Sequence, residues 1–285
     1  MNLDECLPPA LRGAAITKIG AGMSGAGVYR VGDAHVLKVG ARNLEALRHA
    51  AAAGVAPAVI HVDEARAAIV SELVVDRGFA PFAMNPATRD AALDLLGATL
   101  ARVHALPAAG PPANPAAMLR ELAAGAPPFA HEVAARVLAE APPPADRAPV
   151  LSHNDANPSN LVYDGARILL LDWDTAGVND PLYDLATIAL FLRLDDAACL
   201  RMLSAHDGAP ATTLPPRLPY LRRLVGALIG NMMLMLARER GHTGGGDAMP
   251  LGEYFTKMRA GQVSPATPAG QWQFGLALLT ETSAR

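Results

Sequence analysis

Cysteine, aromatic residues and long apolar runs are all scarce in this 285-residue chain, and each shortage removes a class of protein. The two cysteines, Cys6 and Cys199, have no metal-type spacing. Two lone thiols in a chain of this size read as reduced and cytoplasmic, a single bridge between them being the alternative. Residues 1–13 (MNLDECLPPALRG) carry early acids and no apolar core, so no secretory signal is expected. The longest apolar run, Leu224–Ala237, falls short of the roughly 20 residues a spanning helix needs. Asn231 interrupts it, so it is expected to be a buried helix and no membrane span. Basic residues form no stripe, which withholds the electrostatic footprint of a nucleic-acid partner.

What is present fits a folded protein: 51% of residues are hydrophobic and 18% charged, outside the range of disordered chains. The formal net charge of −3 is uneven, with 8 basic and 8 acidic residues up to position 85 and the whole acidic excess after it. That excess mildly favours a cationic small molecule. The first third reads as short strands, Ala15–Ile19, Val28–Val31 and His35–Val39, separated by Gly-rich turns such as Gly32-Asp33. A helix over Leu44–Ala53, ended by Gly54, and a second hairpin from Ala58–His61 and Ala68–Val75 complete a small antiparallel sheet. Helical spacing dominates afterwards, over Ala87–Leu106, 184–204 and 216–240, with Pro/Ala-rich loops at Pro107–Pro115 and Ala141–Pro149.

The chemistry concentrates in Val150–Leu185 (VLSHNDANPSNLVYDGARILLLDWDTAGVNDPLYDL). A loop holds Asp155 and Asn160, and a hairpin turning at Asp164-Gly165 returns the chain so that Ile168–Leu171 delivers Asp172 to the same end. A carboxylate beside an amide oxygen forms a hard-oxygen pair suited to Mg²⁺, which takes few protein ligands and completes its shell with phosphate oxygens. Asp155 is left as a second carboxylate able to accept a proton from an attacking hydroxyl. Three polar groups set between strongly apolar flanks are costly unless used.

His153-x-Asp155-x-x-x-x-Asn160 followed by Asp172-Trp173-Asp174 resembles the catalytic loop and metal motif of the protein-kinase-like fold. It is most similar to the branch of choline/ethanolamine kinases and aminoglycoside phosphotransferases, and Asn179-Asp180-Pro181-x-Tyr183-Asp184-Leu185-Ala186 strengthens the resemblance. The resemblance implies an α+β protein of two lobes, an antiparallel-sheet nucleotide-binding lobe over 1–75 and a larger, mainly helical lobe over 76–285 that completes catalysis and binds substrate. It implies ATP and Mg²⁺ as cofactors and a small hydroxyl-bearing acceptor. Asp155 becomes the general base, Asn160, Asp172 and Asp174 the metal residues, and His153, Asp180 and Asp184 loop supports. Gly22, Ser24, Gly25 and Gly27 would cover the phosphates, Lys38 would hold α/β-phosphate oxygens, and Glu72 and Leu73 would form the hinge against the adenine. Glu45 is the only carboxylate on the first helix and hence the candidate partner of Lys38, with Asn43 competing for that place. A nucleotide-binding protein without turnover and a purely structural module remain as rival classes. Within the enzyme reading, the stretch Leu221–Arg240 contains no aromatic ring, which disfavours a quaternary ammonium acceptor.

Overall fold

The structure, a computed structural model, describes residues 2–21 and 26–284, so the expectations for Gly22, Ser24 and Gly25 lie outside it. Five strands, β1 (Ile16–Ala21), β2 (Gly27–Val31), β3 (His35–Val39), β4 (Val59–Asp63) and β5 (Ala68–Glu72), form one antiparallel sheet. Their order is β1-β2-β3-β5-β4. Alternation sets one face against a core of Val31, Leu37, Val39, Ala68 and Val70, closed from the N-terminal side by Cys6 and Leu7. Cys6 and Cys199 are both buried, and no disulfide joins them.

Helix α1 (Leu44–Ala52) follows β3. Ala53 continues the chain to Gly54, whose φ of 66° provides the left-handed exit expected of a glycine there. Helices α2 (Phe79–Met84), α3 (Arg89–His104), α4 (Pro115–Ala124) and α5 (Pro128–Ala139) come next. Two short strand pairs then build the loop region: β6 (Val150–Ser152) pairs with β9 (Gly177–Asn179), and β7 (Leu161–Tyr163) pairs with β8 (Ile168–Leu170). The helix expected over 184–204 is two helices, α6 (Leu182–Phe191) and α7 (Asp196–Asp207). The break is local: Arg193 takes a left-handed φ of 52°, and the Asp195 carboxylate accepts from the Ala198 amide at 2.9 Å to cap α7. Helices α8 (Arg217–Glu239), α9 (Leu251–Arg259) and α10 (Pro268–Ala284) end the chain.

The chain divides into two compact units, residues 1–113 with 147–214, and residues 114–146 with 215–285. The lobe boundary expected at residue 75 lies inside the first unit. Backbone hydrogen bonds explain why: the Arg77 amide donates to the Tyr163 carbonyl at 2.7 Å and the Leu170 amide to the Val55 carbonyl at 2.8 Å. These bonds bind the sheet side of the first unit to the β7–β8 hairpin. Asp76 reinforces the first bond, its carboxylate accepting from the amides of Gly78 and Tyr163 at 2.8 and 3.0 Å.

In the second unit α8 is 23 residues long and its most apolar stretch has a mean hydropathy of 1.2, enough by length and composition to cross a membrane. Yet 72% of that stretch is buried inside the protein, as expected of a core helix. Gly230 and Gly275 set the approach of α8 to α10: a Cβ on Gly275 would lie 2.8 Å from the Gly230 carbonyl oxygen.

Candidate active site

Strand β8 ends at Leu170 and the chain turns at Asp172, whose φ of 61° lies in the left-handed region. A non-glycine residue held there is strained, and such strain concentrates at functional sites. The turn is fixed from beneath by Trp173, buried, whose indole N–H donates to the Leu170 carbonyl at 2.9 Å. The same ring meets His153 edge-on at 4.9 Å between centroids.

Lys38 projects from β3 to this turn. Its Nζ lies 2.7 Å from Asp172 Oδ1 and 2.8 Å from Asp174 Oδ2. Asp174 also accepts from the Arg42 amide at 2.9 Å, so both its oxygens are engaged. The expected choice between Glu45 and Asn43 as the lysine's partner resolves as neither. The Glu45 side chain is exposed at the start of α1, and the Asn43 amide donates to the Ala176 carbonyl. The physical reason is distance along the helix: α1 begins only at Leu44, and its first residues meet the Trp173–Thr175 turn. The two turn aspartates therefore reach the ammonium instead.

Asp155 sits in the loop after β6. Its Oδ1 and Oδ2 each accept an amide N–H at 2.8 Å, from Asn157 and Asn160 respectively. Burial pushes the Asp155 carboxyl above its ordinary value, against the two asparagine bonds and the His153 ring, and the charge of Asp172 adds to the rise. Because Asn160 turns its nitrogen to Asp155, its oxygen faces away from that bond; among the described residues it has no hydrogen-bond partner, nor does Asp172 Oδ2. One amide oxygen and one carboxylate oxygen are thus left for a hard cation. Among the described residues no group of three His, Cys, Asp or Glu side chains converges as a metal nest. A sparse donor set of this kind fits Mg²⁺ held jointly with phosphates.

The supports expected of His153, Asp180 and Asp184 have definite partners. His153 Nε2 donates to the Leu171 carbonyl at 2.9 Å, and Nδ1 lies 3.3 Å from the Asp155 amide. Asp184, fully buried, accepts from the amides of His153 and Asn154, both at 2.8 Å, and faces His104 Nε2 at 3.1 Å. Burial alone would raise the Asp184 carboxyl; the hydrogen bond and charge of His104, with His153, outweigh it and hold the group below its ordinary value. Asp180 accepts from the Leu182 amide at 2.9 Å and starts α6.

Several positioning residues escaped sequence reasoning. Asn157 was two places from Asp155 in the quoted motif, a spacing that could have flagged it. Asn154 crosses the loop, donating to the carbonyls of Thr175 and Gly177 and accepting from Asn179 at 2.7 Å. His104 and Arg42 lie far from the motif and carried no signal. At the expected hinge the Glu72 amide donates to the Ala58 carbonyl and the Leu73 amide to the Ala34 carbonyl. Gly27 opens β2 under the Tyr29 ring, where a Cβ would lie 2.7 Å from the ring.

Residues 16–220 match a family described as the phosphotransferase enzyme family, APH. A segment of 36 residues is 47% identical to protein LicA of Haemophilus influenzae, covering 13% of this chain and 14% of that protein, so the chain matches only about a seventh of that relative's length. Among solved structures, a choline/ethanolamine kinase family protein from Mesorhizobium loti superposes with a TM-score of 0.66 at 19% identity, covering 99% of this chain and 100% of that one. The spectinomycin phosphotransferase APH(9)-Ia, in complex with ADP and spectinomycin, superposes with a TM-score of 0.61 at 11% identity, covering 95% and 93%. At these identities the structures show a shared fold, α+β with a five-stranded antiparallel sheet and a mostly helical remainder.

Proposed function

The chain belongs to the phosphotransferase enzyme family, and we propose that it transfers the γ-phosphoryl group of ATP to a hydroxyl of a small, amine-bearing acceptor. The observation that carries the reading is the meeting of Lys38 with Asp172 and Asp174 beside the loop that holds Asp155 and Asn160. Phosphoryl transfer demands positioned charge more than covalent chemistry, and this cluster supplies it. In this reading Lys38 takes α/β-phosphate oxygens, and Gly27 at the start of β2 stands beside the phosphates. Asn160 and Asp172 hold Mg²⁺, which when bound neutralises charge on the phosphates. Asp174, with both oxygens engaged by Lys38 and Arg42, steadies the lysine and stands at the edge of the metal shell. Asp155 receives the acceptor's proton: its carboxylate is oriented by two amide donors, and its burial favours proton uptake.

For the acceptor we favour a primary amine over a quaternary ammonium. Quaternary groups are held best by open aromatic faces. In the second unit Tyr254, Phe255 and Phe274 pack on one another, with Tyr254 and Phe274 stacked at 4.9 Å, and all three are buried. Trp272 belongs to a separate cluster, stacked on His242 at 4.9 Å with the Arg238 guanidinium 5.7 Å from its ring centre. The faces a cage needs are thus taken up by other side chains, Tyr254, Phe255 and Phe274 by one another and Trp272 by His242 and Arg238.

Coupled ADP release, with Mg·ATP and choline, ethanolamine and an aminoglycoside run side by side, tests the proposal. Turnover with a primary-amine alcohol or an aminoglycoside at a KM of roughly 1 μM–1 mM is expected. Choline as the best acceptor at submillimolar KM would overturn the acceptor class. Nucleotide binding in Mg²⁺ with no acceptor supporting ADP release would replace the transfer reading with binding alone.

A further inference from the structure

Asp184 makes a contact that the catalytic loop does not explain. His104, the last residue of α3, faces it through Nε2 at 3.1 Å. The other nitrogen of that ring, Nδ1, lies 2.8 Å from His206 Nε2 on α7. His206 Nδ1 in turn lies 2.7 Å from Asp207 Oδ1, and Arg147 grips both Asp207 oxygens at 2.6 and 2.7 Å. A continuous path therefore runs from partly exposed Arg147 to the fully buried carboxylate behind the His153 and Asn154 amides. The helix crossing that joins the two rings is close because residue 97 is glycine: a Cβ there would meet the Met202 carbonyl and lie 2.8 Å from Ala205 Cβ. Leu100, Leu182, Leu185 and Leu203 wall the place where the rings meet.

Counting protons fixes the state of this path. Each of its three contacts needs one N–H, because carboxylates and bare imidazole nitrogens only accept. Arg147 holds the Asp207 carboxyl down at about 2, and His104 holds Asp184 below its ordinary value, so neither acid supplies the proton. Two neutral imidazoles carry two N–H groups between them. The third contact is filled only if the pair holds one proton more. Burial, followed by the charges of His104 and Arg147, pushes His206 below its ordinary value against the pull of Asp207. The geometry then sets one proton on His206 Nδ1 toward Asp207, one on His104 Nε2 toward Asp184, and one between the two rings.

We propose that His104 and His206 share one excess proton and act as positioning residues for the catalytic loop, working through Asp184. The charged and titratable groups facing the pair are Asp184 from α6, Asp207 from the end of α7, Arg147 from the segment before β6, and His153 beyond Asp184. When the excess proton leaves, one contact becomes acceptor against acceptor beside a largely leucine-lined wall, and one donor is lost from the path. The Asp184 end feels it through the His153 and Asn154 amides, immediately before Asp155.

The proton count stands without the proposed activity; the effect on turnover rests on it, and the test separates the two. Imidazole ¹⁵N signals are followed through a pH titration of the full chain, with amide hydrogen exchange at His153 and Asn154 read on the same samples. Both rings are expected to move together at one midpoint, with exchange at the two amides accelerating above it. Asp207→Asn, at a partly exposed site, should carry that shared midpoint to lower pH. His206→Gln, which can donate to His104 but cannot take a proton, should leave His104 titrating alone and lower kcat about tenfold at unchanged nucleotide KM. Two rings titrating independently, with midpoints indifferent to Asp207→Asn, would overturn the shared proton. A common midpoint across which amide exchange stays flat would overturn the positioning role even if no acceptor had been found. With an acceptor in hand, a kcat profile flat across that midpoint would do the same.

Discussion

The two compact units bury polar atoms in different ways. In the first, the loop stands on a connected set: Asp184 gathers His104 and the amides of His153 and Asn154, and His153 passes on to Leu171 and Asp155, while Thr99 and Thr187 bond back to their own helices. In the second no such set surrounds a loop among the described residues: Tyr254 on α9 donates to the Gly270 carbonyl on α10, and other buried groups bond to their own helices. Asn231 donates back to the Ala227 carbonyl and Thr282 to the Leu278 carbonyl, while Asn231 Oδ1 and Gln271 Oε1 have no partner among the described residues. There the fit of α8 to α10 is set by glycines instead. A connected polar network specifies one arrangement of a loop, because any shift leaves a buried group unpaired. A glycine crossing specifies only how near two helices come. The difference teaches where precision is needed: the first unit holds in place the groups proposed to react, and the second holds a shape.

The largest expected effect comes from breaking the first unit at its reacting group. Asp155→Asn keeps the shape but removes basicity and can accept from only one of Asn157 and Asn160, so turnover should fall roughly 10²–10⁴-fold with nucleotide affinity nearly intact. Steady-state rates within a few-fold of the parent would remove Asp155 from the mechanism. Asp172→Ala should act on binding, leaving Lys38 with Asp174 alone and the metal site without its free carboxylate oxygen. Losing charge-assisted contacts of about 1.5–3 kcal/mol corresponds to a roughly tenfold or greater loss of Mg·ATP affinity. Calorimetry showing equal affinity and equal Mg²⁺ dependence would exclude Asp172 as a ligand.

The second unit should answer differently. In Gly275→Ala the new methyl would press on the Gly230 carbonyl, which cannot rotate away. Overpacking of about 1–3 kcal/mol, less about 1 kcal/mol of improved helix propensity, leaves a net loss of stability of up to about 2 kcal/mol in denaturant unfolding. Nucleotide affinity should stay as it was, since the residues assigned to it belong to the first unit. The smallest effect concerns acid. The Asp207 carboxyl is held at about 2 by Arg147, so its contribution is complete above the unfolded value of about 3.9 and is lost as pH falls toward 2. Asp207→Asn should flatten that part of the stability curve in circular dichroism melts; an unchanged slope between pH 4 and 2 would deny the linkage.

The same contrast governs what could be read from the residues alone. Strand β3, helix α1 and the β7–β8 hairpin were legible because alternation, a terminal glycine and Asp164-Gly165 are local signals. Asp155, Asn160 and Asp172 were legible because their spacing across one hairpin is itself short-range. The partner of Lys38 was not, since it depends on where α1 begins relative to a turn some 130 residues later. His104, His206 and Arg147 were invisible for the same reason: ordinary surface-compatible residues acquire meaning only when α3 and α7 cross at Gly97. The break at Arg193 was missed because a left-handed arginine leaves no compositional trace.

The backbone bonds at Arg77 and Leu170 also have a mechanical consequence. Residues 76–78 are stitched to the edge of β7 by the Arg77 amide and by the Asp76 carboxylate, and Val55 is pinned to Leu170. A connector fastened at its far end cannot swivel along its whole length. Because Val55 is a second tie, the sheet side can swing over the hairpin only if its bond to Leu170 yields, and the turn is then taken up in the few residues between Leu73, tied to Ala34, and Asp76. Val74 and Val75 are left as a short axle, with the exposed Val75 side chain free to sweep through solvent as it turns.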